Sequence, residues 1–238
     1  LKDNMWGYNR HTDQTVNIYS AFLQNEWKND RWGILIGGRL DKHNMVDNVI
    51  FSPRANLRFN PTQNINLRLS YSSGFRAPQA FDEDMHIENV GGTVAMIERA
   101  KDLKEEKSQS FSVSADMYHR FGAFQTNLLI EGFYTRLTDV FVLGKPYDRG
   151  DGILVKTRSN GPGAKVMGLT LEGKVAYLSI LQIQAGLTLQ RSRYDEPHKW
   201  HDDAPAEKKI FRTPDTYGYF TATCTPIKPL SIALSGTY

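Results

Sequence analysis

Asn64-Ile65-Asn66-Leu67-Arg68-Leu69-Ser70-Tyr71 alternates without a break. Its odd positions are apolar and its even positions are polar. Strict period two is the signature of a strand with one apolar face and one wet face. The same alternation returns in 181–190, where Leu181, Ile183, Ala185, Leu187 and Leu189 are interleaved with Gln182, Gln184, Gly186, Thr188 and Gln190. It returns again near the end, where Leu230, Ile232 and Leu234 alternate with Ser231, Ala233 and Ser235. No stretch of comparable length keeps a helical stripe. Val94, Ile97 and Leu103 predict at most a short loop helix within 94–105.

Extended over the whole chain, the pattern predicts an all-β fold of about ten antiparallel meander strands. They cover 14–27, 31–41, 51–59, 64–76, 107–120, 123–142, 153–177, 181–194, 213–225 and 230–238. The seventh contains Gly161-Pro162-Gly163, which predicts a bend or bulge. No low-complexity tract or linker divides 1–238, so a single domain is expected. The connections alternate in length. Lys28-Asn29-Asp30, Asn60-Pro61-Thr62-Gln63, Arg120-Phe121-Gly122, Leu178-Ser179-Ile180 and Pro226-Ile227-Lys228-Pro229 are short. Between them lie long connections at 42–50, 77–106, 143–152 and 195–212. A soluble sandwich has no reason to put every short turn at one end. A membrane β-barrel does, because its periplasmic turns are tight and its external loops long.

Composition agrees with that reading. The 238 residues are 40% apolar and 23% charged, which argues against disorder. Mean hydropathy is −0.48. Fully apolar runs such as Val140 to Leu143 fall far short of the roughly 18 residues of a membrane helix, but barrel strands escape that criterion. Net charge is +3, from 29 basic and 26 acidic residues, which is no footprint for nucleic acid. The single cysteine, Cys224, forbids an intrachain disulfide. The start at Leu1 has neither an initiator Met nor an apolar leader, as expected of a mature form or a cut piece. Aromatics gather near the short turns: Trp27, Trp32, Phe59, Phe121, Phe124 and Tyr177. Trp and Tyr favour the headgroup level of a bilayer.

The pleat then assigns side chains. Ile65, Leu67, Leu69, Leu181, Ile183, Leu187, Leu189, Ile232 and Leu234 are expected to face lipid. Arg54, Asn56, Arg58, Asn66, Arg68, Gln182, Gln184 and Gln190 are expected to face a wet lumen. In a soluble β-sandwich binding module the same apolar residues would form the core between two sheets. Alternation alone leaves both readings open, together with a complete small barrel of about ten strands.

Several segments carry a resemblance. Ser70-Tyr71-Ser72-Ser73-Gly74-Phe75-Arg76-Ala77-Pro78 resembles the Y-x-x-G-F-R-A-P segment of TonB-dependent outer-membrane receptors, and Phe51-Ser52-Pro53-Arg54 resembles the x-S-P-R start of the strand before it. Asp102 to Ser108 is similar to the family's N-x-x-L-x-P-E-x-S segment, with Glu105 in place of Pro. Val166-Met167-Gly168-Leu169-Thr170-Leu171-Glu172 is similar to V-x-G-x-E-L-E, with Thr170 where an acid is common. Arg212-Thr213-Pro214 followed by Tyr219-Phe220 resembles the late R-x-P strand. The matches come in family order across about 30–225, and Phe81 to His86 most resembles receptors of Bacteroidetes-type bacteria. The resemblance implies the middle-to-late part of a 22-stranded transmembrane barrel in a Gram-negative outer membrane. It implies uptake of a scarce bulky ligand (siderophore, haem, cobalamin or glycan) when the TonB complex pulls on a plug. Plug and terminal strands have no counterpart in the sequence. If the short turns are periplasmic, both chain ends lie outside the cell, and two edge strands are expected that would tend to self-associate.

Candidate ligand contacts fall in the long loops. Asp82, Glu83, Asp84 and Glu88 supply hard oxygen donors around His86, a group suited to holding a cation or gating a ligand, but the spacing fits no EF-hand. His198 and His201 stand three apart beside Trp200, which has a face for stacking on a ligand. No metal site and no cofactor is expected from either group. Arg149-Gly150-Asp151 is a tripeptide of a kind that chance supplies often. No Walker loop, G-x-G-x-x-G, G-x-S-x-G or H-E-x-x-H occurs, and Asp and Glu pairs leave a glycosidase open; binding and transport rather than catalysis are what the resemblance implies.

Overall fold

The computed structural model describes residues 2–5, 10–78, 88–90, 93–150, 152–199, 205–210 and 213–238. A first hairpin pairs β1 (Lys2–Met5) with β2 (Arg10–Asp13). The main sheet then takes β3 (Ile18–Lys28), β4 (Trp32–His43), β5 (Ile50–Thr62) and β6 (Ile65–Arg76). After a loop that holds β7 (Glu88–Val90) and β8 (Thr93–Arg99), it continues with β9 (Glu106–Phe121) and β10 (Phe124–Thr138). A second loop carries β11 (Phe141–Leu143), β12 (Tyr147–Asp148) and β13 (Leu154–Asn160). The sheet resumes with β14 (Ala164–Tyr177) and β15 (Leu181–His198), and β16 (Glu207–Lys209) pairs on the end of β15. β17 (Thr216–Ile227) and β18 (Leu230–Thr237) complete it. The path runs β18-β17-β15-β14-β10-β9-β6-β5-β4-β3, every neighbour antiparallel. This is the expected meander.

Register fixes the faces, because directly opposed residues on antiparallel strands share one face. One row crosses the sheet through Trp32, Phe59, Leu67, Ala115, Ile130, Leu171, Leu187 and Gly218. The neighbouring row on the other face runs through Arg58, Arg68, Ser114, Glu131, Thr170, Thr188 and Tyr217. All nine residues expected to face lipid fall on the first face. All eight expected to face the lumen fall on the second.

Among the described residues no second layer covers the apolar face. Leu69, Val113, Ile232 and Leu234 are each more than half exposed. An apolar surface of this extent marks a membrane or protein contact. Burial is concentrated at the long-loop end instead. One small cluster joins Val46, Ile50 and Ala77, and another joins Val140, Ala164 and Tyr194. The arrangement is a sheet with an uncovered apolar face of the kind lipid would cover, and the sandwich reading loses its core. Among the described residues no helix is long and apolar enough to cross a membrane, which leaves barrel strands unaffected.

The short turns collect the aromatics. Trp32 stacks on Phe59 at 4.3 Å between ring centroids, and Phe121, Phe124 and Tyr177 form a continuous row at 5.4 and 4.8 Å. Gly122 takes φ +57° in its turn, and Leu178 takes φ +51° in another.

Three expectations need correction, all at the long-loop end. Residues 94–105 form no helix. Thr93–Arg99 is a strand, paired in parallel with β13, and Met96 faces Val155 with both side chains fully buried. β-branched Thr93, Val94 and Ile97 favour the extended chain, and a neighbouring strand satisfies the backbone. Gly161-Pro162-Gly163 ends a strand rather than bulging it, because Pro162 has no N–H to donate to the ladder. Residues 154–160 therefore join a separate sheet of β11, β13, β8 and β7, with β12 beside β13. Lastly, β15 runs on to His198, four residues beyond the expected 194, held by β16 and by Asp195 N–H donating to Gly163 O at 2.9 Å.

Replacing Leu187 by Arg, near mid-membrane on the apolar face, is expected to destabilise the barrel by about 2–4 kcal/mol, whereas Gln182→Arg on the other face is expected to cost close to nothing. Denaturant unfolding of the full-length receptor in lipid vesicles measures the difference. Equal costs would mean that the faces are assigned the wrong way round.

Candidate functional site

The polar face is built for hydrogen bonding. Toward its β18 edge Tyr219 lies across β15 and reaches β14. Register puts Glu172, Gly186 and Tyr219 in one line over three strands. A Cβ on Gly186 would sit 2.5 Å from the Tyr219 ring, so glycine is what lets the ring lie flat there. The Tyr219 hydroxyl donates to Glu172 Oε2 at 2.6 Å, and Gln184 Nε2 donates to both Tyr219 Oη at 2.6 Å and Glu172 Oε1 at 3.0 Å. Lys174 closes an ion pair with Glu172 at 3.2 Å. In the same register row as Glu172, Asp116 accepts from Asn127 and from the Tyr118 hydroxyl. Asn66 Nδ2 donates to Asn60 Oδ1 at 2.7 Å.

Toward β3 the same face opens into a hollow of about 660 Å³ lined by Gln24, Arg39, Arg54, Asn56, Ser70 and Ser72 among others. Arg58 and Arg68 oppose each other directly beside it. Like charges in that position repel unless an anion or water lies between them, so this part of the wall favours anionic groups. Asp41, buried to 2% exposure, accepts from Ser20 Oγ at 2.6 Å and Arg39 Nε at 2.7 Å.

The loop sheet stands at the long-loop end of β6, β9, β10 and β14. Asn160 fastens it: its Nδ2 donates to Lys104 O at 3.0 Å and Asp139 O at 2.8 Å, while its Oδ1 accepts from Lys104 N–H at 2.7 Å. Phe141 N–H donates to Glu106 Oε2 at 2.9 Å. Arg149 pairs with Glu98 at 3.1 Å, which accounts for one arm of the Arg149-Gly150-Asp151 tripeptide as a loop contact. A clasp joins β10 and β15 across β14: Arg136 donates from both terminal nitrogens to Asp195, at 2.6 and 2.5 Å. The guanidinium holds the Asp195 carboxyl below the usual carboxylate range.

Of the loop residues singled out from sequence, Asp82, Glu83, Asp84, His86, Trp200 and His201 lie outside the described residues. Glu88 begins β7 and His198 ends β15, on two different sheets. Among the described residues no cluster of His, Cys, Asp and Glu is arranged to hold a metal. Sequence reading missed Glu172, Lys174, Asp116 and Tyr219 as wall residues. Extending the alternation of Gln182 and Gln184 to the strands on either side would have found Glu172 and Lys174, since they share that face.

A sheet with one lipid-facing wall, one hydrogen-bonding wall, tight turns at one end and structured loops at the other is the wall of a transmembrane β-barrel. The family described as TonB dependent receptor-like, beta-barrel matches residues 2–235, and the chain belongs to it. Its place is the outer membrane of a Gram-negative bacterium. Similar solved structures include the siderophore receptor PirA from Pseudomonas aeruginosa, at TM-score 0.70 and 16% identity over 93% of this chain and 39% of that one. The FrpB iron transporter from Neisseria meningitidis follows at TM-score 0.63 and 16% identity, over 93% of this chain and 32% of that one. A mutant of the ferric enterobactin receptor PfeA from Pseudomonas aeruginosa, in complex with enterobactin, gives 0.57 and 17%, over 92% of this chain and 39% of that one. The chain thus spans about a third to two fifths of these proteins. At such identity the likeness is one of fold. No curated protein matches by sequence.

Two outcomes are expected in the full-length receptor. Tyr219→Phe removes two hydrogen bonds from the wall and should lower unfolding stability by about 1–3 kcal/mol. Asp195→Asn should lower the melting temperature at neutral pH. A depressed carboxyl stabilises above its unfolded value of about 3.9 and loses that contribution as pH falls through the folded value. The gap between wild type and Asp195→Asn should therefore close below about pH 4, as melting curves taken across pH would record.

Proposed function

We propose that this chain forms part of the wall of a receptor that takes up a ferric siderophore across the outer membrane, by transport and not catalysis. The observation that carries this reading is the continuous hydrogen-bonding face opposite an uncovered apolar face, in a chain of this family. Likeness to siderophore receptors and an iron transporter favours that ligand class over haem, cobalamin or glycan. The opposed Arg58 and Arg68 and the adjoining hollow suit an anionic chelate or an acidic plug surface.

In this reading the long loops capture the ligand, with contacts from Asp82, Asp84, His86, Glu88, His198, Trp200 and His201. The TonB complex acts through a plug within the barrel. A domain boundary inside 1–238 is not needed, since one sheet path runs from β3 to β18.

The test uses a strain deleted for the gene and complemented with its full-length form, given labelled ferric enterobactin, haem or cyanocobalamin. Siderophore accumulation should require both the gene and TonB. His198→Ala with His201→Ala should raise the concentration needed for half-maximal uptake. Loss of haem or cobalamin uptake instead, with siderophore uptake intact, would refute the ligand class.

A further inference from the structure

The lipid-facing wall has a hollow that uptake does not use. An apolar trough of about 900 Å³ is lined by Leu69, Phe111, Val113, Tyr134, Leu169 and Leu189, and at its loop end by Arg191, Arg193 and Asp215. Its floor is Gly132, set between Val113 and Leu169 on the outward face. A Cβ added there would meet only Val113 Cγ1, at 3.7 Å. One missing side chain in an otherwise bulky row opens the trough.

Past the trough the outward positions turn basic. Arg136, Lys165 and Arg193 oppose one another across β10, β14 and β15, and Lys209 on β16 opposes Arg193. Arg191 opposes Met167. Two carboxylates answer this charge, Asp195 with Arg136 at 2.5 Å and Asp215 with Lys209 at 2.7 Å. Among the described residues Lys165 and Arg191 close no ion pair, and Arg193 Nη1 donates to Ser192 O at 3.1 Å. The patch keeps a positive excess.

Its height identifies its surroundings. β10 starts in the aromatic row at Phe124, and Arg136 lies about 30 Å further along the barrel axis, at about 3.4 Å per residue and a tilt near 40°. The apolar band of such a barrel is about 25 Å tall. The cations therefore stand at the outer headgroups, and the trough lies in the outer acyl layer.

We propose that this is a binding site for a phosphorylated, acylated lipid of the outer leaflet. One acyl chain lies in the trough over Gly132, and the phosphate is held by Arg191, Arg193 and Lys165. Arginine suits the role because its planar fork meets phosphate with paired hydrogen bonds. A zwitterionic headgroup brings its own cation to a patch already positive and fits less well. The site is separate from the uptake path and rests only on placement in the outer membrane.

The test is native mass spectrometry of the full-length receptor in detergent, titrated with diphosphoryl lipid A, phosphatidylethanolamine or inorganic phosphate. Lipid A should be retained at least about tenfold better than phosphatidylethanolamine, and Arg191→Gln with Arg193→Gln should remove most of that advantage. Gly132→Leu, which fills the trough without touching a charge, should weaken lipid A as well. Heat-modified mobility on gels confirms that each variant is folded. Equal retention of the two lipids, or unchanged retention in the arginine variant, would overturn the proposal. So would displacement of lipid A by equimolar phosphate, indifference to Gly132→Leu, or loss of a receptor dimer in place of loss of lipid.

Discussion

Inside a bilayer no water is at hand to bond an exposed N–H or C=O, so every backbone polar group has to find a partner across a strand. That constraint organises this protein. It requires long strands in unbroken antiparallel register, and β9, β10, β14 and β15 run 14 to 18 residues each. It leaves side chains free to answer to two different solvents, and they do so at period two. It also explains why irregularity is kept to the strand ends: register shifts lie beside two short turns, between Phe59 and Thr62 and between Cys224 and Ile227, and at the long-loop end Gly161-Pro162-Gly163 breaks the ladder and the one parallel pairing of the described strands, β8 with β13, occurs.

Stability is therefore distributed unlike that of a soluble domain. Apolar residues such as Leu187 and Leu234 contribute by meeting lipid, not by packing on one another. Cohesion on the opposite face comes from polar crossings. Tyr219 spanning β15 over Gly186 to Glu172 ties three strands with one side chain, and the Arg136–Asp195 clasp does the same at the loop end on the outward face. The small packed clusters under the loops, around Val46 and around Ala164, anchor the external structure to the strands that carry it. The outward wall also has chemistry of its own, because the apolar rows give way to arginine and lysine at the height of the headgroups.

Much of the wall was legible in the sequence because its signal is local. Ile65 to Tyr71 and Leu181 to Gln190 state their faces residue by residue, and the aromatics at the short turns mark one membrane boundary. The loops were not legible. Val94, Ile97 and Leu103 fit a helical spacing, yet Thr93–Arg99 became a strand, since its partner lies about sixty residues away in 154–160. Asp195 read as the first residue of a loop, yet its partner Arg136 extends the strand through it. The Tyr219–Glu172 contact was hidden for the same reason: its three members are neighbours only after two registers are set.

The all-β class, the alternation of short and long connections and the two chemically distinct faces are all written along the chain, because each depends on local spacing. Tertiary structure decided that the apolar face stays uncovered, which residues cross strands to meet, and where an apolar trough adjoins a cationic rim. Those features depend on register, and register is a relation between strands that no single stretch of chain contains.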